Sequence, residues 1–378
     1  MEAHPIALLM FLLGFVYFMT GMYLSSQPLP KKFAKKRDLR VAVLVAFRNE
    51  QNTLKECLDS LLQQNYACEN YDVYMLDDRS TDASAEIALQ YTGGSHPFQL
   101  ISIVEEHHGL KGKMNAMSQA LEKLDHDIIL VTDADCIVPE TWIQTYVDYF
   151  DKKTGMVGGL TLLSPIPGIN ISQSYKENLF GGIQALDWLF LQKVAALSSR
   201  AGRPISILGN NFGFRLEAYH QVGGFPAIGF TVTEDYALMR HIEQKTAWAI
   251  KHTLDINNAI FSYPVQSLSS FFWQRWRWLR GGRSMRMWGY FTALLSLMAK
   301  SLIIPAFLFT DYSLWAAGGI GLIIGIDYFL IKSELRIFHL SHLRPHFLLW
   351  QIFHISYSIV FALMSLLPFP VRWKGEKY

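Results

Sequence analysis

The chain has 378 residues, enough for one large domain or for two ordinary ones. Hydrophobic residues make up 51% of it and charged residues 17%, a balance that excludes a disordered protein and points to membrane segments. The formal net charge of +2 disfavours nucleic acid as a partner. The three cysteines lack metal-type spacing, so we expect neither a disulfide framework nor a zinc site.

The apolar excess is concentrated at the two ends of the chain. Residues 6–24 form an uncharged run long enough to cross a bilayer as a helix, and a cluster of lysines and arginines follows from Lys31 to Arg40. We interpret this run as an uncleaved anchor, and the positive-inside rule places the residues after it in the cytoplasm. Further apolar runs of spanning length occupy 291–309, 312–331 and 347–367.

This pattern predicts an N-terminal transmembrane anchor at 1–30, a cytoplasmic domain at 31–285 and a C-terminal transmembrane region of about three helices at 286–378. The protein would be a multi-pass protein of the cell membrane with its active site facing the cytoplasm. The basic C-terminal tail would then lie outside, against the positive-inside rule, which leaves open a re-entrant or interfacial last run.

Between the apolar ends, strand and helix patterns alternate four times. Short apolar runs predict strands at 41–47, 73–76, 98–104 and 128–131. Amphipathic stretches predict helices at 50–64, 82–90, 113–124 and 139–150. The alternation predicts an α/β fold with a doubly wound sheet, in which ligands bind beyond the carboxyl ends of the strands.

Acidic residues follow the second and fourth predicted strands at this edge. Asp133 and Asp135 are two apart, so on an extended chain they point to the same side and could form an oxygen site for Mg²⁺ or Mn²⁺. The alternative is a polar turn that caps the next helix. Asp77 and Asp78 are either helix caps or acceptors of hydrogen bonds from a nucleoside. Neither a dinucleotide fingerprint nor a P-loop occurs, which disfavours both of those site classes.

Three further features have a structural and a functional interpretation. Lys113, near a predicted helix start, is either an exposed lysine or a group that neutralises phosphate charge. Glu234 and Asp235 either begin the helix predicted at 236–243 or supply a general base. The arginine- and tryptophan-rich stretch 271–283 fits a helix at the membrane surface, and equally a site that holds a diphosphate and stacks on a sugar.

Taken in this order, the motifs resemble glycosyltransferase family 2, the inverting enzymes with a GT-A fold. The matches are Val-Ala-Phe-Arg-Asn-Glu at the first strand, Asp-Asp-x-Ser-Thr-Asp at the second, Asp-Ala-Asp at the fourth, then Thr-Glu-Asp and Gln-x-x-Arg-Trp. The last two motifs and the flanking apolar runs are similar to the membrane-embedded branch, which includes polysaccharide synthases, ceramide glucosyltransferase and bacterial glycolipid glycosyltransferases. The resemblance covers roughly residues 40–285.

The resemblance implies a donor side and an acceptor side. The residues implied to hold the nucleotide, usually uridine, are Ala46, Arg48, Glu50 and Asp77 or Asp78. Asp133 would contact the ribose or diphosphate and Asp135 the metal, or the two would share one Mg²⁺ or Mn²⁺ ion.

On the acceptor side, Asp235 would be the general base, with Glu234 beside it. Gly209 and Asn210 are similar to the stretch that lines the acceptor site. The residues that would close over the diphosphate and the acceptor are Gln274, Arg277 and Trp278.

These roles imply that a hexose moves from a UDP-sugar to a hydroxyl group in one inverting displacement. About four spans are few for a polymer-conducting tunnel, so we favour a membrane lipid as the acceptor. A short processive polysaccharide synthase is the alternative. A catalytically silent sugar-nucleotide-binding scaffold is a third hypothesis, and it would require a missing base or metal ligand.

Overall fold

The computed structural model describes residues 5–33, 39–94, 97–163, 178–282, 285–309, 313–367, 372–373 and 376–377. The chain divides into two compact units. The sheet unit comprises Leu29–Leu162 and Ser206–Tyr263, and the helical unit comprises Met1–Pro28, Leu163–Ile205 and Pro264–Tyr378. The helical unit thus includes 163–205 and 264–285, two stretches of the domain expected at 31–285.

The described strands are short and mostly buried. In chain order they are β1 (Val41–Phe47), β2 (Tyr71–Asp77), β3 (Phe98–Ser102), β4 (Ile128–Asp133), β5 (Thr154–Gly158), β6 (Thr161–Leu163), β7 (Asn211–Arg215), β8 (Ala249–His252), β9 (Ile260–Ser262), β10 (Arg372–Trp373) and β11 (Glu376–Lys377). Seven of them form one sheet in the order β3-β2-β1-β4-β7-β5-β8, while β6 pairs with β9 and β10 with β11.

The described helices are, in chain order, α1 (Pro5–Ser25), α2 (Leu54–Leu62), α3 (Ser84–Leu89), α4 (Gly112–Leu121), α5 (Trp142–Tyr149), α6 (Leu179–Arg200), α7 (Leu216–Gln221), α8 (Gly224–Ile228), α9 (Glu234–Lys245), α10 (Leu268–Gly281), α11 (Met287–Ser301), α12 (Ile303–Phe309), α13 (Leu314–Ile337) and α14 (Phe347–Met364). Short 3₁₀ segments lie at Cys68–Asn70, Ile256–Asn258 and Ser341–His346.

The sheet reverses its strand order between β1 and β4. β1 is parallel to both neighbours, β2 and β4, so the chain builds outward through β3 and then returns to the other side of β1. The backbone register sets Phe47 opposite Asp77 and Ala46 opposite Asp133 at this reversal. The predicted doubly wound α/β sheet is confirmed, and the predicted ligand edge is where the acidic residues lie.

The far side of the sheet is mixed, which the sequence did not predict. β7 runs antiparallel to both β4 and β5, and β8 runs parallel to β5. β7 begins with the polar Asn211 and contains Gly213, so it lacks the continuous apolar run that marked the first four strands.

The starts predicted for the first two helices of the sheet unit, α2 and α3, were two to four residues too early. α2 begins at Leu54 rather than at residue 50, and α3 at Ser84 rather than at residue 82. In the first case Asn49 has a positive φ of 57° and the next residues form a turn, so the helix starts only after that turn.

Four segments of the helical unit are long and apolar enough to cross a membrane: Pro5–Ser25, Met287–Phe309, Leu314–Ile337 and Ser341–Met364. Many of their large apolar side chains face outward, among them Leu12, Phe307 and Leu348. This matches the expected one N-terminal and three C-terminal helices, and four candidate spans are the pattern of a multi-pass membrane protein.

Polar side chains tie these four segments together. Asp327 on α13 is fully buried and lies 2.7 Å from Lys300 Nζ on α11. Its carboxylate also accepts hydrogen bonds from the hydroxyl of Tyr17 at 2.6 Å and from the amide of Gln351 at 2.8 Å. Each partner belongs to a different segment, so the charged residues that interrupt the apolar runs are paired with one another.

Close backbone packing adds to these polar contacts. α1 and α13 approach closely at Gly14, where a Cβ atom would lie 2.6 Å from the carbonyl oxygen of Gly319. The apolar spacing at 175–200 predicts a helix that either lies on the bilayer or belongs to the core; it is described from Leu179 as α6, and residues 175–177 lie outside the described part. Most of α6 is buried within the helical unit, as expected of a core helix.

Candidate active site

The loops that follow β1 and β2 are fastened to each other at the carboxyl edge of the sheet. The side-chain oxygen of Asn49 accepts a hydrogen bond from the backbone N–H of Thr81 at 2.8 Å. The N–H of Glu50 donates to the hydroxyl of Ser84 at 2.8 Å. These contacts hold Glu50 beside the second loop, in a turn that Asn49 enters with positive φ.

The two acidic residues after β2 have different surroundings, although both are buried. Asp77 accepts a hydrogen bond from the N–H of Ser80 at 3.0 Å and so stabilises its own turn. Asp78 pairs with Arg79 Nε at 3.0 Å and lies 4.0 Å from the point that a Cβ atom on Gly112 would occupy. Asp78 therefore faces the start of α4, where Lys113 lies, while Asp77 stabilises the turn that follows β2.

Lys113 is the centre of a charged cluster. Its Nζ atom lies 2.5 Å from Asp133 Oδ1, donates to the carbonyl oxygen of Gly209 at 2.7 Å and lies 3.7 Å from Glu234 Oε1. Burial alone would lower the pKa of Lys113, but the carboxylates of Asp133, Glu234 and Asp235 outweigh it and raise the pKa above its ordinary value. The lysine thus stays protonated.

Asp235 lies in the first turn of α9 and reaches the Gly209 turn. A Cβ atom on residue 209 would lie 3.0 Å from Asp235 Oδ2, so a larger side chain would displace that carboxylate by a few tenths of an ångström. The predicted base, the predicted acceptor-lining glycine and Asp133 are therefore brought together around Lys113, although they lie far apart in sequence.

Asp133 and Asp135 form the second part of this edge. Burial raises the pKa of Asp135 to about 6, and the neighbouring carboxylates of Asp133 and Glu50 add to that rise. In the described part of the chain, no three His, Cys, Asp or Glu side chains converge as a complete metal site. Two crowded carboxylates nevertheless fit a Mg²⁺ or Mn²⁺ ion that takes its remaining oxygen ligands from phosphates.

The turn that carries Gly209 is anchored by the next two residues. Asn211 is fully buried, and its side-chain oxygen accepts hydrogen bonds from Trp142 Nε1 at 2.9 Å and Tyr146 Oη at 2.7 Å. Asn210, predicted to line the acceptor site, accepts one from the hydroxyl of Thr161 at 2.9 Å. The supporting role of Asn211 was missed from the sequence, where an amide at the start of a Phe-rich strand is its only signal.

The remaining predicted site residues lie in two places. Ala46 and Arg48 flank the end of β1, with Arg48 exposed. Gln274, Arg277 and Trp278 lie on α10 of the helical unit, where the ring of Trp278 packs against Trp188 at a centroid distance of 5.0 Å. The individual roles of these residues stay predictions.

Comparison with known proteins shows the fold of the chain and the family that residues 42–222 match. The family model described as "Glycosyl transferase family 2" matches residues 42–222. Among solved structures, the mannosyltransferase PcManGT from Pyrobaculum calidifontis, in complex with GDP-Man and Mn²⁺, covers 96% of this chain and 97% of its own at 18% identity, with a TM-score of 0.62. That likeness confirms a GT-A-like fold.

Two curated relatives match at lower coverage. A beta-monoglucosyldiacylglycerol synthase of Synechocystis sp. is 26% identical over 278 residues, which are 73% of this chain and 55% of the relative. A poly-beta-1,6-N-acetyl-D-glucosamine synthase of Staphylococcus aureus is 23% identical over 269 residues, 69% of this chain and 60% of the relative. The chain thus spans 55–60% of the length of these relatives.

The matched family region contains the loops after β1, β2 and β4 and the Gly209 turn, the same elements that the structure gathers at one edge of the sheet. The ordered motifs, the fold and the relatives agree: residues 42–222 match glycosyltransferase family 2, within a chain of GT-A-like fold that carries four candidate membrane helices.

Proposed function

We propose that the protein transfers a hexose from a UDP-sugar to a hydroxyl group of a membrane lipid, with inversion at the anomeric carbon. The observation that carries this proposal is the cluster around Lys113, in which Asp133, Gly209 and the first turn of α9 meet at the ligand edge of the sheet. It combines a cation for a leaving diphosphate with carboxylates for an attacking hydroxyl.

The displacement needs one base. Asp235 takes the proton of the acceptor hydroxyl while the hydroxyl oxygen forms its bond to the anomeric carbon. On the opposite face, the bond from that carbon to the diphosphate oxygen breaks, and its electron pair leaves with the UDP. Lys113, held protonated by its acidic neighbours, stabilises the negative charge on the departing diphosphate. Glu234 supports this charged state from 3.7 Å.

The donor is held by the loops at the strand ends in this proposal. Asp78, Glu50, Arg48 and the backbone beside Ala46 would contact the nucleoside. Asp133 and Asp135 would hold a Mg²⁺ or Mn²⁺ ion, which when bound neutralises diphosphate charge. The Mn²⁺ and GDP-Man of the solved relative support a metal and a nucleoside diphosphate sugar, and they make GDP-mannose a necessary comparison donor.

A lipid acceptor is supported by the membrane helices and by one relative. The helical unit has four candidate spans, which we consider few for a polymer tunnel. The Synechocystis relative is named as a synthase of a glycolipid. We place the sheet unit in the cytoplasm because Lys31, Lys32 and the basic residues after them follow α1.

A short processive polysaccharide synthase is the second candidate, since the Staphylococcus relative is named as a polymer synthase. Gln274, Arg277 and Trp278 would then hold the growing end rather than a lipid hydroxyl.

The test uses the full chain in lipid nanodiscs with total membrane lipids, Mg²⁺ or Mn²⁺, and a panel of labelled UDP-sugars with GDP-mannose. We expect label from one UDP-hexose in a single organic-soluble band. A water-soluble ladder would instead establish a synthase. Donor binding without transfer to any acceptor would overturn both and leave a silent scaffold.

A further inference from the structure

One carboxylate joins α10, which carries the Gln-x-x-Arg-Trp motif, to two other helices of the helical unit. Asp187, in the middle of α6, is fully buried. Its Oδ2 atom accepts a hydrogen bond from Arg275 Nη2 of α10 at 2.7 Å. Its Oδ1 atom accepts from three groups of α14: Trp350 Nε1 at 3.1 Å, His354 Nδ1 at 2.8 Å and Tyr357 Oη at 2.8 Å.

Arg275 in turn fixes the aromatic end of the motif. Its guanidinium lies 4.2 Å from the ring centroid of Trp278 and 4.8 Å from that of Phe271. Trp278 also contacts Trp188, the residue after Asp187. Two adjacent residues of α6 therefore hold the motif tryptophan, Trp188 directly and Asp187 through Arg275. The place of α10 therefore depends on the pair that Asp187 forms with Arg275.

Among the described residues, Asp187 is the one hydrogen-bond acceptor that this guanidinium contacts. Arg275 is 5% exposed, and within the described ranges its Nε and Nη1 atoms have no hydrogen-bond partner. A buried guanidinium that loses its carboxylate keeps an uncompensated charge, and we expect the helix that carries it to shift.

We propose that Asp187 is a positioning residue for glycosyl transfer. By holding Arg275 it sets the position of α10 and, through that helix, of Gln274, Arg277 and Trp278. The inference rests on the proposed function, in which those three residues hold the acceptor hydroxyl. Asp187 acts through Arg275 and not on the substrate.

The first test compares Asp187→Asn with the wild-type chain in nanodiscs by the release of UDP, which every transfer to lipid, polymer or water produces. Misplacement of the motif is expected to lower kcat about 100-fold. The Kd for UDP should change by less than about twofold, because the nucleotide contacts are assigned to the sheet unit. Asp187→Glu, which keeps a carboxylate for Arg275, should recover part of the lost kcat. An unchanged kcat would overturn the proposal.

The matched control is Asp327→Asn. Asp327 is also fully buried and paired with a cation, but its hydrogen-bond and ion-pair partners in the described chain lie on α1, α11 and α14 and not on α10. Its kcat per folded molecule should stay within about twofold of wild type. In a double-mutant cycle, adding Asp187→Asn to Arg275→Gln should not lower kcat any further. Equal losses in the two aspartate variants, or additive losses in the cycle, would contradict a positioning role.

A readout without turnover separates this inference from the proposed function. If the wild-type chain releases UDP but labels no lipid, only the acceptor assignment fails and the comparison above still holds. If it releases no UDP from any donor, hydrogen–deuterium exchange tests whether Asp187 positions α10. Asp187→Asn should speed amide exchange in residues 268–281 and leave that of residues 41–47 unchanged, and equal exchange in 268–281 would overturn the proposal.

Discussion

Asp133 in the sheet unit and Asp187 in the helical unit each contact a cation at hydrogen-bond distance, yet their surroundings differ. The side chain of Asp133 is 40% exposed and that of Lys113 is 23% exposed. Asp187 is 0% exposed, Arg275 is 5% exposed, and four donors already occupy the carboxylate. The exposed carboxylate of Asp133 keeps lone pairs for a ligand, whereas the buried carboxylate of Asp187 has four donors and can only hold helices in place.

The charged residues of this protein therefore fall into two groups, one for binding and turnover and one for folding. Those at the strand ends should affect binding and turnover when changed, with little effect on folding. Those inside the helical unit should affect its folding, unless they hold a helix that carries site residues. Each substitution below tests one side of that division.

The largest expected effect is that of Asp235→Asn. Without the base, the acceptor hydroxyl must lose its proton unaided, and kcat should fall about 1,000-fold. The Kd for UDP, measured by calorimetry, should not change. Glu243→Gln is the control, since Glu243 lies on the same helix and pairs with Arg240. Near-normal turnover of Asp235→Asn would remove Asp235 as the base.

Asp327→Asn should reduce stability and not chemistry. It leaves Lys300 buried without its carboxylate, at a cost of about 3–5 kcal/mol in the free energy of unfolding. Thermal denaturation in detergent should therefore begin at a lower temperature, while surviving folded molecules turn over normally. A fall in turnover at an unchanged melting temperature would show instead that Asp327 contributes to turnover and not to folding.

Asp135→Ala should weaken metal-dependent donor binding. Loss of a charge-assisted contact is worth about 1.5–3 kcal/mol, so the Kd for UDP in Mn²⁺ should rise about 10- to 100-fold. Removal of the metal with EDTA should raise the Kd of the wild type for UDP by a similar factor. It should raise the Kd of the variant much less. Asp125→Ala, which breaks an exposed pair with Arg40, is the control. Unchanged binding of UDP with metal present would argue against the cation site.

Gly209→Ala should have the smallest effect. The added methyl group would lie 3.0 Å from Asp235 Oδ2 and displace that carboxylate by a few tenths of an ångström. We expect kcat to fall about 10-fold with the Kd for UDP unchanged. Gly321→Ala, at a position with open space around it, should be neutral. A neutral Gly209→Ala would show that the turn tolerates side chains beside the base.

The sheet edge could be predicted from the sequence because its signals are local. Branched apolar runs marked β1, β2 and β4, and the acidic residues stand directly after the strands. The four spans were equally readable, since length and apolarity decide them. Helix starts were less accurate because turns such as that at Asn49 use backbone conformations that composition does not reveal.

The rest depends on contacts between distant parts of the chain. Asp187 is a lone acid in an apolar helix, which is a visible signal, but its partners lie about 90 to 170 residues later. Asn211 likewise binds Trp142 and Tyr146 across the sheet unit. Pairings of this kind follow from the tertiary fold and have no periodicity in the sequence. The antiparallel β7 escaped prediction for the same reason, since its neighbours and not its own composition make it a strand.

A single displacement assisted by Asp235 at the sheet edge inverts the anomeric carbon, so the anomeric configuration of the first product distinguishes it from a transfer with retention. The measurement is proton NMR of the glycoside isolated after transfer from an α-linked UDP-hexose, with the coupling at the anomeric proton as the readout. We expect a β-linked product. An α-linked product would require retention of configuration, and it would contradict a one-step transfer with Asp235 as the base.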